Sequence, residues 1–186
     1  MIAVPKALLA SWATWANALT ALRLGITFPL MWSLTANAWV PAALLFFFAV
    51  LTDYFDGPLA RRFGQATTFG GFADHATDAL FVTCACAALA MADFIPIYLP
   101  CIIPVAFLQY TIDSRVLKGH ALRPNPLGRI NGIAYYVVPG VVIGGHVLSI
   151  WDIVAAATAA FAWVLILSTL VSMALRTRNY LGQPNN

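Results

Sequence analysis

Four aspartates are the residues of this chain whose types and spacing could do chemistry. Asp53 and Asp56 lie near the end of one apolar stretch, and Asp74 and Asp78 lie near the start of the next. On a helix turning about 100° per residue, each pair falls on a single face. Because ionisable residues within apolar spans are functional by default, the pattern predicts a carboxylate site between two helices.

Carboxylates gathered in this way require cations to offset their charge. Ligation by oxygen alone selects a hard ion such as Mg²⁺ or Mn²⁺, and four acids suit two ions about 4 Å apart better than one. Zinc would require His or Cys ligands, and His75 is expected to point about 100° away from Asp74. Pairing with Arg61 and Arg62 at a membrane surface is an alternative that would explain one or two of the acids.

The composition excludes most classes of soluble protein. Of 186 residues, 61% are hydrophobic and only 9% are charged, against about 25% charged in a soluble domain. A net charge of +3 does not describe a nucleic-acid-binding face. The three cysteines lie in apolar stretches without the spacing of a disulfide framework or a zinc site, so they are interpreted as packing residues.

The elements that must position the acids are membrane helices. We predict an all-α integral membrane protein with six transmembrane helices, an N-terminal interfacial helix over Met1 to Ala10, and a single domain over residues 1–186. The six apolar stretches are Trp15 to Leu34, Ala38 to Leu59, Phe72 to Met91, Phe94 to Ile112, Ile130 to Ile150, and Ile153 to Leu175. Pro96, Pro100 and Pro104 predict that the fourth helix is bent.

The connections alternate in charge. Those near Ala36, Asp93 and Trp151 carry no Lys or Arg, whereas the others carry almost every cation. By the positive-inside rule, both termini are expected to face the cytoplasm, and the acids lie toward that side.

Written out, the acidic segment reads D-x-x-D-G-x-x-A-R-x8-G-x-x-x-D-x-x-x-D. This resembles the signature of the CDP-alcohol phosphotransferase superfamily at every fixed position. Its members are Asp53, Asp56, Gly57, Ala60, Arg61, Gly70, Asp74 and Asp78.

Two shorter motifs extend the resemblance. Asn17, Leu19, Thr20 and Arg23 are similar to the N-x-L-T-x-x-R element that opens the first span in many members. Leu127, Gly128 and Arg129 resemble the L-G-K element of the phosphatidylglycerophosphate synthases, with Arg in place of Lys, whereas Asn131 and Gly132 depart from the usual pattern.

The resemblance implies transfer of a phosphatidyl group from CDP-diacylglycerol to an alcohol, with release of CMP, in the bacterial cytoplasmic membrane. It implies metal ligation by the four aspartates, with Asp78 also as general base, and a homodimer in contact with membrane lipids. It assigns the diphosphate to Arg61. The residues expected to border the CDP group are Gly57, Ala60, Thr67 and Gly70.

The acceptor alcohol is predicted from a cluster of cations between the fourth and fifth spans. Its members are Arg115, Lys118, Arg123 and Arg129. Such a cluster suits a phosphorylated alcohol, because a desolvated phosphomonoester needs paired cations. We expect glycerol 3-phosphate first and inositol phosphate second. The alternative is that these cations anchor the loop to anionic headgroups, and this alternative weighs most for Lys118 and Arg123.

Two other classes of function compete with this interpretation. Acids between spans also mark the ion pathways of divalent cation transporters, although transporter sites usually lie nearer the midplane. A catalytically silent scaffold is the second alternative, and it is disfavoured because every signature residue is present.

Overall fold

A computed structural model describes residues 15–62, 68–114 and 126–181, and these residues form six α-helices. The helices are α1 (Trp15–Thr35), α2 (Trp39–Arg62), α3 (Thr68–Met91), α4 (Tyr98–Asp113), α5 (Pro126–Val147) and α6 (Trp151–Leu181). The all-helical prediction is confirmed, and each predicted apolar stretch overlaps one helix. The proposed interfacial helix over Met1 to Ala10 lies outside the described residues.

Length and apolar composition make this a membrane protein. Within the described ranges, three segments are long and apolar enough to cross a bilayer: Gly70–Met91, Pro126–Val147 and Trp151–Arg178. Large apolar side chains also project outward, with Phe28 70% exposed and Ile153 79% exposed. An apolar outer surface is what a lipid environment requires, because lipid tails do not penalise exposed hydrocarbon as water does.

Three uncharged connections share one backbone geometry. Asn37, Asp93 and Ser149 have φ values of 54°, 60° and 57°, in the left-handed region. After each of these residues, the next backbone N–H bonds a carbonyl five residues back, as in Ala38 to Ser33, at 2.8 Å. These are Schellman caps, which satisfy the last carbonyls of α1, α3 and α5 and reverse the chain within a few residues.

The proline-rich fourth stretch begins later than its apolar composition suggests. Pro96 lies in the connection before α4, where its carbonyl accepts a bond from the N–H of Leu99 at 3.1 Å. Pro100 lies in the first turn, where a missing N–H costs little, and Pro104 is inside the helix. With 16 residues, α4 is shorter than the roughly 20 residues that cross a bilayer without thinning it.

The helices pack as a bundle in which contacts form both between helices adjacent in the sequence and between helices farther apart. Helix α1 contacts α2 and α3, α3 contacts α4 and α5, and α6 contacts α4 and α5. Leu30, Phe81, Leu99 and Val138 are among the fully buried apolar side chains at the centre. This packing brings α3, which carries Asp74 and Asp78, between α1 and α5, and it places α2, which carries Asp53, against α1.

An aromatic cluster joins the three capped connections. The His146 ring stacks on Trp39, with centroids 3.8 Å apart and an interplanar angle of 5°, and it also stacks on Trp151 at 4.9 Å. Phe94 meets Trp39 and Trp151 edge-on, each at 5.4 Å. One aromatic residue follows each cap, so the cluster holds together the ends of three hairpins at one end of the bundle.

Candidate active site

The centre of the site is a buried guanidinium from α1. Arg23 is 0% exposed, although it lies within an apolar helix. A cation in such a position is tolerated only when acidic partners offset its desolvation. The sequence supplies those partners from two other helices.

Three carboxylates converge on Arg23. Its Nη2 lies 3.2 Å from Asp53 Oδ1, and its Nη1 donates to Asp74 Oδ1 at 3.1 Å. The same Nη1 donates to Asp78 Oδ1. The acids come from the last part of α2 and the first half of α3, so one cation ties three helices together.

Asp78 is the most enclosed of these acids. Its side chain is 21% exposed, against 29% for Asp74 and 38% for Asp53. The Tyr136 hydroxyl of α5 donates to Asp78 Oδ1 at 3.2 Å, so this carboxylate is held from two helices besides its own. Three carboxylates around one guanidinium leave two negative charges in excess when all are ionised.

That excess of charge and the donor set fit divalent cations. Ligand atoms of Asp74, His75 and Asp78 all lie within 4.8 Å of one another. Carboxylate oxygens suit Mg²⁺ or Mn²⁺, whereas an imidazole nitrogen is a more usual ligand of zinc, copper, iron or nickel. The helical-wheel expectation for His75 was therefore too simple, because its side chain reaches the acids despite starting about 100° from Asp74.

Two of the acids, Asp53 and Asp78, line a cavity of about 740 Å³. Asp53, His75 and Asp78 line one part of it, and residues of α4, α5 and α6 complete the lining, among them Arg129 and Arg176. The Arg176 guanidinium lies over the Tyr110 ring, 4.4 Å from its centroid, which restricts its position. A space that joins carboxylates to cations can hold a metal-bound anion together with a second anionic group.

Comparison with known proteins agrees with this arrangement. The sequence model of the CDP-alcohol phosphatidyltransferase family matches residues 13–175 of the chain. The chain belongs to this family.

Curated relatives match over a shorter segment. A Salmonella typhimurium (strain LT2) protein named CDP-diacylglycerol–glycerol-3-phosphate 3-phosphatidyltransferase is 50% identical over 50 residues, 26% of this chain and 28% of that protein. The Escherichia coli (strain K12) protein of the same name is 51% identical over 49 residues, 25% of this chain and 27% of that protein. The matched segment thus spans little more than a quarter of these relatives.

The structure brings together those signature residues whose side chains it describes. Asp53, Asp74 and Asp78 meet at Arg23, and Gly70 lies in the first turn of α3. Asp56, Gly57, Ala60 and Arg61 lie in the last two turns of α2, and their side chains are outside the described part. Thr67 falls outside the described residues.

Of the four predicted acceptor-site cations, Arg129 is the one that the structure describes. It lies in the first turn of α5 and lines the cavity that Asp78 also lines. The other three, Arg115, Lys118 and Arg123, lie outside the described residues.

Sequence reasoning did not assign a role to three residues that the fold brings to the site. Arg23 appeared only as part of a family motif, and no role was given to Arg176 or Tyr136. For Arg23 a signal was available, because a cation eight residues into an apolar helix must have acidic partners. For Tyr136 no local signal exists, since its partner lies 58 residues away.

Proposed function

We propose that the protein transfers a phosphatidyl group from CDP-diacylglycerol to a phosphorylated alcohol, with glycerol 3-phosphate favoured, and releases CMP. The observation that carries this proposal is the shared cavity: carboxylates Asp53 and Asp78 and the cation Arg129 line the same space. A transferase of this kind needs both groups, since one substrate is a diphosphate that requires metal ions and the other carries a phosphate.

The reaction is a displacement at phosphorus. The acceptor hydroxyl oxygen attacks the phosphorus that bears diacylglycerol, and the bond from that phosphorus to the CMP oxygen breaks. The hydroxyl proton passes to the carboxylate of Asp78, and CMP leaves with the electron pair of the broken bond. Asp78 suits the role of base because Arg23 and Tyr136 hold it in one orientation.

We assign the metal ligands to Asp53, Asp56, Asp74 and Asp78, with two ions of Mg²⁺ or Mn²⁺. When bound, such ions would neutralise the diphosphate oxygens and acidify the acceptor hydroxyl. Arg23 would keep the three carboxylates that it contacts gathered before ions or substrate arrive.

The CDP group is assigned to the end of α2 and the start of α3. Gly57 and Ala60 remove side-chain bulk where the nucleotide would approach the backbone, Arg61 would bind the diphosphate, and Thr67 and Gly70 would border the cytidine. Gly57, Ala60, Arg61 and Gly70 are positions of the family signature, whereas Thr67 lies between two of them.

The acceptor phosphate is assigned to Arg129, with Arg115, Lys118 and Arg123 as further candidates. Arg129 is favoured because it lies in the first turn of α5 and lines the same cavity as Asp53 and Asp78, as does the described cation Arg176. The alternative acceptor is inositol phosphate, whose phosphate would bind the same cations.

The membrane arrangement proposed with this activity has six spans and both termini in the cytoplasm. One aromatic cluster joins the capped turns of the three uncharged connections, so all three lie at the same end of the bundle. This supports the proposed arrangement. We place the protein in the bacterial cytoplasmic membrane, as a homodimer and a single transferase domain, with the active site on the cytoplasmic side.

The proposal is tested by incubating purified protein with CDP-diacylglycerol, Mg²⁺ and one alcohol at a time from a panel. The panel is glycerol 3-phosphate, inositol phosphate, inositol and serine, and the measurements are CMP release and the mass of the lipid product. We expect CMP release and a phosphatidylglycerophosphate product with glycerol 3-phosphate. Failure to release CMP with every alcohol would contradict the proposal, and preference for serine or inositol would contradict the acceptor assignment alone.

A further inference from the structure

An asparagine buried between α5 and α6 has half of its amide occupied. Asn131 is 3% exposed, and its Oδ1 accepts a hydrogen bond from Ser168 Oγ at 2.7 Å. Its Nδ2 is buried and has no hydrogen-bond partner among the residues that the structure describes. Because Ser168 engages one side of the amide, the other side is left for a different group.

A buried amide donor is rarely left unsatisfied in a native protein, because it loses its bonds to water and gains nothing in return. Asn131 also lines the cavity that holds Asp78 and Arg129. The neighbouring polar pair on these helices is already satisfied internally, since Tyr135 Oη and Thr169 Oγ1 are 2.7 Å apart. The missing partner of Asn131 is therefore best supplied by a ligand in the cavity.

The chemistry of the cavity indicates which part of a ligand this is. Arg129 and Arg176 line the same space, and guanidinium groups suit a phosphate better than a neutral amide does. An amide N–H suits the oxygen of a neutral hydroxyl. In a polyol phosphate, one hydroxyl reacts and the phosphate binds the cations, which leaves a non-reacting hydroxyl to be recognised.

We propose that Asn131, oriented by Ser168, binds the non-reacting hydroxyl of a polyol phosphate acceptor and so selects such acceptors over simpler alcohols. This inference rests on the proposed function, because it names the acceptor chemistry of the same site. Asn131 acts in specificity, and the phosphoryl transfer itself does not pass through it.

The test compares two acceptors that differ in one hydroxyl. Glycerol 3-phosphate has the middle hydroxyl and 3-hydroxypropyl phosphate lacks it, while both keep a primary hydroxyl and a phosphate. We expect the unmodified protein to use glycerol 3-phosphate with a kcat/KM about 10-fold higher, because a site built to bond a hydroxyl rejects the analogue without it. This comparison requires no variant and therefore does not depend on a variant folding.

Two substitutions sharpen the result. Asn131→Ala should lower kcat/KM for glycerol 3-phosphate to that for the analogue and leave the KM for CDP-diacylglycerol unchanged. Thr158→Val is the matched control, since Thr158 is buried on α6 but donates only to the carbonyl of Val154 in its own helix. It should keep the full preference.

Equal use of both acceptors by the unmodified protein would overturn the inference, as would an Asn131→Ala variant that keeps the preference. Either outcome leaves CMP release intact and so leaves the proposed function standing. Absence of CMP release with both acceptors would instead overturn the proposed function, and this inference with it.

Discussion

The guanidinium of Arg23 and the carboxylate of Asp78 are joined by a hydrogen bond although 55 residues separate them. Arg23 comes from the middle of α1 and Asp78 from α3, and the same guanidinium also bonds Asp53 and Asp74. An arginine that is 0% exposed thus joins three of the carboxylates that we propose as metal ligands. Its removal would affect both the fold and the chemistry.

Substituting Arg23 should destabilise the protein and inactivate it. Arg23→Ala leaves three carboxylates without their shared cation, and breaking a buried ion pair costs about 3 kcal/mol or more. We expect a thermal midpoint in detergent lower by several degrees, partial recovery in Arg23→Lys, and a larger stabilisation by added Mg²⁺ in the Ala variant than in the unmodified protein. Arg178→Ala, at an exposed position near the end of α6, is the control. An unchanged midpoint in Arg23→Ala would contradict this account.

Replacing single aspartates with asparagine should lower activity at the acidic site and have no effect on activity at the opposite end of the bundle. Asp53→Asn, Asp56→Asn, Asp74→Asn and Asp78→Asn should each lower the rate of CMP release by about 100-fold or more, because metal ligands and base act as a unit. Asp93→Asn and Asp152→Asn should keep normal rates. Asp93 is a strict control, since Asn tolerates its left-handed φ of 60° as well as Asp does. Retained activity in any of the first four variants would remove that residue from the site.

Removing divalent cations should abolish turnover reversibly. The carboxylate cluster carries more negative charge than Arg23 offsets, and a diphosphate would add to it. We expect EDTA to stop CMP release, and excess Mg²⁺ or Mn²⁺ to restore it, whereas Ca²⁺, which prefers longer bonds and more ligands, should restore less. CMP release that persists after thorough chelation would contradict metal-assisted transfer.

Arg129 should matter for the acceptor and not for the lipid donor. Because it lines the cavity from the first turn of α5, Arg129→Ala should raise the KM for glycerol 3-phosphate about 10-fold or more. The KM for CDP-diacylglycerol should change little, and Arg129→Lys should restore part of the affinity. Loss of affinity for CDP-diacylglycerol alone would instead assign Arg129 to the nucleotide.

Two adjacent glycines on α5 provide a matched test of the packing between α5 and α6. A Cβ at Gly145 would lie 3.1 Å from Val154 Cγ2 and 3.3 Å from Trp151 Cε3, whereas one at Gly144 would meet nothing within 4 Å in the part of the chain that the structure describes. Gly145→Ala should therefore lower the thermal midpoint relative to Gly144→Ala, which should be neutral or stabilising because Ala favours helix. Equal midpoints would show that α6 shifts without cost.

The residue types and their spacing were enough to predict six helices, their approximate limits and the acidic segment. Apolar runs of this length have few alternatives to membrane helices, and the pairs Asp53 with Asp56 and Asp74 with Asp78 are tied by helical periodicity alone. The family signature rests on the same local pattern, so the sequence was also sufficient for the family. The apolar run from Phe94 misled the prediction of where α4 begins, because the segment before Tyr98 is apolar whether or not it is helical.

Only the tertiary structure decided which helices meet. Because α3 packs between α1 and α5, Arg23 and Tyr136 both contact Asp78. Because α5 packs on α6, Asn131 contacts Ser168. Periodicity gives each helix a preferred face but does not say which helix that face contacts. In an apolar bundle many pairings bury similar surfaces, and the choice among them depends on a few polar contacts between residues far apart in the chain.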